Sequence, residues 1–156
     1  MNKSTLLSII FTCLLTLTLT SGLSLKAETK NISFHNSGKV LSADLPFSEL
    51  VKVGNMLYLS GQLGAILGSL KLIEGGIKAE TKQTMDNIKT VLETHGYSMK
   101  DLVKCTVMLA DIKDWAAFND VYKTYFTKPY PARSAFGTSG LGLGAKVEVE
   151  CMGAVE

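Results

Sequence analysis

The chain has 156 residues, 16 Lys and Arg against 14 Asp and Glu, and a formal charge of +2. That is the length of one domain with a sizeable core, and a near-neutral balance that excludes the clustered cations needed to grip a nucleic-acid backbone. The two histidines, His35 and His95, stand far apart, no His, Cys and carboxylate cluster has ligand spacing, and a Ser or Cys triad lacks bases, so no metal or cofactor is expected.

Taken in order, the chain opens with Lys3 and the uncharged run LLSIIFTCLLTLTL over Leu6–Leu19, followed by small and polar residues to Ala27. A basic start, a short apolar run and a small-residue exit predict a secretory signal peptide over 1–27 and a single domain over 28–156, exported to the periplasm or secreted. The alternative is an uncleaved anchor. A bilayer asks for about 20 apolar residues, and this threonine-diluted run is short for one. Leu25, two positions before Ala27, is larger than the usual cleavage pattern. Cleavage removes Lys3 and Lys26 and no acid, leaving a neutral mature chain with no case for nucleic acid or, after cleavage, for membrane.

A first edge strand is expected at Ile32 to His35. Leu50 to Val53 and Met56 to Leu59 flank Gly54-Asn55, a dipeptide suited to a tight turn, and read as a β-hairpin. A short strand is possible at Leu70 to Ile73. In KAETKQTMDNIKTVLETHG the residues Met85, Ile88, Val91 and Leu92 recur at helical spacing, and Gly96 supplies a left-handed stop. Leu102 to Leu109 alternates as a half-buried strand. Asp111 can cap a second helix carrying Trp115, Phe118, Tyr122 and Tyr125, which Pro129 ends. Strands at about Arg133 to Thr138 and Lys146 to Val155 complete an α+β two-layer sandwich, a mostly antiparallel sheet with two helices on one face. Cys105 and Cys151 sit in alternating apolar runs and are read as buried free thiols, because the sequence does not show that their β-carbons meet.

Two features remain for chemistry. The run GLGLG, Gly140 to Gly144, precedes a strand and not a helix, so it is a connection and not a phosphate loop. Arg133 shares a strand face with the small Ala135 and Gly137, while Glu148 and Glu150 point away from Val147, Val149 and Cys151. The charged side chains are expected to project from the sheet face opposite the helices. If their strands pair, Arg133 and Glu148 flank one pocket fit for a small acid; the plainer alternative is an inter-strand ion pair.

GNMLYLSGQLG, QTMDNIKTVLE, DLVKCTVMLADIKDWAAFNDVYKTYF and PARSAFG followed by GAKVEVE together resemble the RidA/YjgF family of reactive-intermediate deaminases across nearly the whole mature chain. The resemblance implies a chorismate-mutase-like fold, a homotrimer whose sheets form a central barrel, clefts between subunits, and hydrolysis of amino-acid-derived enamines and imines to 2-oxo acids and ammonia without a cofactor. It implies Arg133 as the clamp on a substrate carboxylate and Glu148 as acid and base, with Ser60, Gly61 and Asn119 around the cleft. Phe47 stands where a tyrosine is usual and Ala135 where many members have cysteine, and Phe47 is expected from the next subunit. The alternative function is a non-catalytic module of this fold that binds small carboxylates or proteins; RNA cleavage is a third.

Overall fold

The computed structural model describes residues 31–40 and 45–156; the expected signal segment over 1–27 lies outside them. Its strands are β1 (Ile32–His35), β2 (Leu50–Val53), β3 (Met56–Leu59), β4 (Gln62–Leu63), β5 (Leu102–Leu109), β6 (Ala132–Gly137) and β7 (Val147–Ala154), with helices α1 (Gly76–Thr94) and α2 (Trp115–Tyr122). The strands form one sheet in the order β1-β2-β3-β7-β5-β6, with β4 also on β7.

The local signals act as expected. Gly54 takes a φ of 59° in the hairpin turn, and Leu50 faces Leu59 in an antiparallel register. Such a turn matches the twist of the two strands it joins. Gly96, at φ 83°, ends the first helix. Met85, Ile88, Val91 and Leu92 form its buried stripe and pack on Leu57, Leu109, Val147 and Val149 of the sheet. Both helices therefore cover one face. Asp111 caps a 3₁₀ turn, Ile112–Asp114, through its side chain and the Lys113 amide, and α2 follows it directly. Leu70 to Ile73 is no strand of its own; only a bridge between Ala65 and Leu72 forms there.

Two expectations are corrected by the topology. The strands of Arg133 and Glu148 do not pair, because β5 lies between them. β5 runs parallel to β6 and antiparallel to β7; α2 supplies the crossover that a parallel pair requires. The cysteines are not free thiols either. Cys105 and Cys151 are register partners on β5 and β7, both point into the core, and they are joined as a disulfide across a separation of 46 residues. A bridge closing a loop of that size is worth roughly 2–4 kcal/mol, chiefly by restricting the unfolded chain. Reduction, or replacement of both cysteines by serine, is expected to lower the thermal midpoint by on the order of 10 °C. Calorimetry with and without reductant checks it.

The sheet face away from the helices carries Phe34, Tyr58 and Phe136, exposed by 71%, 42% and 47%. Phe34, Val51 and Tyr58 are successive cross-strand partners, with Met152 next in line. That apolar row is of the kind that protein contacts cover; Phe136 stands apart from it, at the level of Met108 and Glu148.

Candidate active site

Alternation tells which residues of a strand share a face, and the register tells which face. Arg133 is the partner of Cys105, and Ala135 of Val107; Cys105 and Val107 are core residues under the helices. Arg133 therefore lies on the helix side, contrary to the expected placement on the open face. Its guanidinium carbon sits 4.9 Å from the Tyr122 ring, 5.7 Å from Phe118 and 5.9 Å from Trp115, so α2 gives it an aromatic seat. Nη1 donates to Asn119 Oδ1 at 2.7 Å. A guanidinium has five N–H donors in a planar fork, so most of that fork is left for a ligand.

Arg133 lines two cavities. One, of about 420 Å³, is lined by Asn119, Tyr122, Lys123, Tyr130, Pro131 and Arg133. The other, of about 310 Å³, is lined by Ile112, Trp115, Arg133 and Ala135. The three- and four-residue spacing of the aromatics over 115–125 is legible in the sequence as a helix and nothing more. Its second role, cradling a cation, becomes visible only once β6 is placed beside β5.

Glu148 occupies the opposite face. It is the partner of Met108 on β5 and of Leu63 on β4. Its carboxylate rests on Gly61, where a side chain would overlap Oε1, so any larger residue at 61 displaces the acid. Burial first, and the neighbouring Glu150 second, push the Glu148 carboxyl above its ordinary value. Ser60 spends its hydroxyl on the Ser48 carbonyl at 2.7 Å, which ties the segment of Phe47 to this side; Phe47 itself is exposed. The β4 segment is pinned from behind by Asn87 of α1, whose Nδ2 donates to the Leu63 and Ala65 carbonyls at 3.0 and 2.8 Å. Glu80 of the same helix accepts from the Lys146 amide at 2.7 Å. These polar helix residues hold the Gly61 and Glu148 region in place, and a reading confined to the apolar stripe passes over them.

The structure thus gathers the candidate residues in two groups: Arg133 with Asn119 and Ala135, and Glu148 with Gly61 and its chain neighbour Ser60; Phe47 is linked to the second only through the Ser48 carbonyl. Within one chain the groups do not meet. Arg133 and Glu148 lie two strands and three register positions apart, about 10 Å in each direction, on opposite faces.

The histidines also depart from expectation. His35 faces the helix side of β1, where the end of α1 brings His95 over it with ring centroids 5.0 Å apart. His95 Nε2 lies 3.3 Å from Glu49 Oε2, and Glu49, 3% exposed, accepts from the Ser37 amide and hydroxyl at 2.8 and 3.0 Å. No group of three His, Cys, Asp or Glu among the described residues is arranged to hold a metal. Burial first, then the charges of His95 and Lys52, hold the His35 ring below its ordinary value. Burial raises the Glu49 carboxyl, but the Ser37 and His95 contacts outweigh it and carry the group below its ordinary value. In both cases the unfolded chain binds more protons than the folded one, so stability rises with pH. The His35 contribution is present above pH 6.5 and is lost as pH falls below it; that of Glu49 is lost below 4.5. Urea midpoints should fall between pH 7.5 and 5.5, and His35→Gln should flatten that slope.

The family model described as Endoribonuclease L-PSP matches residues 38–155, which spans both groups. A goat (Capra hircus) protein named 2-iminobutanoate/2-iminopropanoate deaminase is 42% identical over 117 residues, 75% of this chain and 85% of its own length. The chain belongs to the RidA/YjgF family. An Arabidopsis thaliana relative named Reactive Intermediate Deaminase A, chloroplastic, is 34% identical over 132 residues, 85% of this chain and 71% of its own. Among solved structures, RidA from the Antarctic bacterium Psychrobacter sp. PAMC 21119 superposes with a TM-score of 0.74 at 38% identity, covering 79% of this chain and 99% of that one. Escherichia coli TdcF, solved with bound serine, gives a TM-score of 0.72 at 26% identity, over 80% and 99%. The two helices and mixed seven-stranded sheet are those of the RidA fold.

Proposed function

We propose that this RidA-family chain hydrolyses 2-imino acids and their enamine tautomers to 2-oxo acids and ammonia, at a site assembled from two subunits of a homotrimer. The observation that carries the reading is the division of the candidate residues between the two faces of the sheet: a carboxylate clamp without an acid on one, an acid without a clamp on the other. Chain association closes both gaps at once. The apolar row of Phe34, Val51, Tyr58 and Met152, exposed at Phe34 and Tyr58, supports association, and the relatives named for this activity support the reaction.

In this reading Arg133 holds the substrate carboxylate through two parallel N–H donors and fixes the imine carbon. Glu148 of the neighbouring subunit, its carboxyl raised by burial and by Glu150, takes a proton from water as the C–O bond forms and passes it to the imine nitrogen, giving a carbinolamine. It then relays the carbinolamine hydroxyl proton to the same nitrogen as the C–N bond breaks, leaving the 2-oxo acid and ammonia. No redox step is involved. Phe47 and Ala135 adjust the cleft and leave the clamp and the acid in place.

The alternative, a module that binds small carboxylates without turnover, draws support from the Arg133 seat alone and not from the raised Glu148. The experiment generates 2-imino acids with an amino-acid oxidase and follows their loss above the uncatalysed rate, alongside thermal-shift titration with 2-oxo acids. Accelerated loss is expected. Arg133-dependent ligand stabilisation without acceleration would establish the binding module instead. Export and removal of residues 1–27 belong to the same proposal and rest on the pattern around Lys3 and Leu6–Leu19; the mass of the protein recovered from outside the cytoplasm tests them.

A further inference from the structure

We infer that Glu49 is a positioning residue for the proposed acid: its buried carboxylate anchors the segment that fixes Ser60 and Gly61, and through them the place where the Glu148 carboxylate stands. The inference rests on the deaminase reading and adds a residue to it. Every link between the two acids is a direct contact or a peptide bond. The Glu49 carboxylate accepts from the amide and hydroxyl of Ser37 and lies 3.3 Å from His95 Nε2. The Glu49 backbone amide donates to Asn36 Oδ1 at 2.8 Å. The segment after β1 and the end of α1 thereby hold one residue in place. That residue and the one before it take both donors of Ser60, the amide on the Glu49 carbonyl at 3.1 Å and the hydroxyl on the Ser48 carbonyl at 2.7 Å. Gln62 Nε2 donates to the Ser60 carbonyl at 3.1 Å, so every polar group of Ser60 is engaged. Gly61 follows, with the Glu148 carboxylate against it.

The energetics favour placement over stability as the use of this carboxylate. Glu49 is 3% exposed. Taking a carboxylate out of water offsets most of what its partners return, so a buried one adds little net stability, and an apolar side chain would fill the same space at less cost. What the directed contacts supply is a single position for the segment. A proton-transfer group must stand within about 2.6–3.2 Å of the atoms it serves, and a misplacement of about 1 Å costs up to about a hundredfold in rate.

Glu49→Ala should lower kcat for a 2-imino acid by about ten- to a hundredfold. KM and the affinity for 2-oxo acids, which report the Arg133 clamp, should stay within about threefold. Glu49→Gln should restore most of the rate, because its amide oxygen accepts where Oε2 did and the Ser37 hydroxyl, which both donates and accepts, turns to meet the amide nitrogen. In the Glu148→Gln background Glu49→Ala should cost less than about twofold, since the group it positions is already gone. Equal losses in both backgrounds, or a folded Glu49→Ala protein with wild-type kcat, would overturn the inference. Should circular dichroism find Glu49→Ala unfolded, Ser37→Ala and His95→Ala take its place, each removing one contact. A loss of about threefold or more is then expected, and wild-type kcat in both overturns the inference. Carbon-13 NMR titration of the Glu148 carboxyl needs no turnover and so separates this inference from the reading beneath. Glu49→Ala should move that titration toward the ordinary carboxyl value as the acid leaves its seat; an unmoved titration overturns the positioning role. A moved titration in a protein that does not accelerate imine loss keeps the placement and overturns the deaminase.

Discussion

Arg133→Ala is expected to lower kcat/KM for a 2-imino acid by about 10²–10⁴. The clamp contributes two charged hydrogen bonds at roughly 1.5–3 kcal/mol each, and about 1.4 kcal/mol is a factor of ten. Most of the loss should fall on KM and on the affinity for 2-oxo acids, since the carboxylate is held in substrate and product alike. Arg133→Lys should recover only part, because an ammonium keeps the charge but not the planar fork. The stack of Arg133 on Tyr122, Phe118 and Trp115 gives the residue a structural role as well. A thermal midpoint measured beside the kinetics separates the two: a purely structural arginine would lower the midpoint and leave the affinity of the surviving folded protein unchanged.

Glu148→Gln should act on the other kinetic constant. The amide occupies nearly the same volume over Gly61, so the local packing survives, but it neither accepts nor returns a proton. A loss of about 10²–10⁴ in kcat is expected, the usual scale of general acid–base catalysis, with little change in 2-oxo acid affinity. The pH profile carries the signature. In the wild type the acid limb should lie above the ordinary carboxyl value of 4.5, because burial and Glu150 raise the group; in the variant that limb should vanish. A profile unchanged by the substitution would remove Glu148 from the chemistry.

What the sequence made legible is local. Gly54-Asn55 sets the hairpin, the 3.6 period of Met85, Ile88, Val91 and Leu92 sets α1, and the alternation from Leu102 to Leu109 sets β5 within the residues observed. Alternation also grouped Arg133 with Ala135 and Gly137, and Glu148 with Glu150. The expectation that both groups face away from the helices holds for Glu148 and fails for Arg133, because the facing of β6 depends on its parallel pairing with β5 through the α2 crossover. The same holds for Cys105 and Cys151, each legible as inward but opposed only through the β5–β7 register. His35 and His95, 60 positions apart by their numbers, meet because β1 docks under the end of α1. In each case the missing information is a long-range register, which no window of the chain contains. Residue type and strand position singled out Arg133 and Glu148, and the resemblance gave them the roles of clamp and acid; their division between sheet faces came from the structure.

That division is the central claim, and subunit mixing tests it most directly. Arg133→Ala and Glu148→Gln proteins, each nearly inactive alone, are unfolded together in equal amounts and refolded, with singly refolded controls. If each site takes its arginine from one subunit and its acid from the next, random assembly of a closed ring makes about one site in four fully intact. The mixture should regain about a quarter of the wild-type rate. A mixture as inactive as either parent, in trimers shown by mass to contain both chains, would mean that both residues serve the same site from one chain, and would contradict the account.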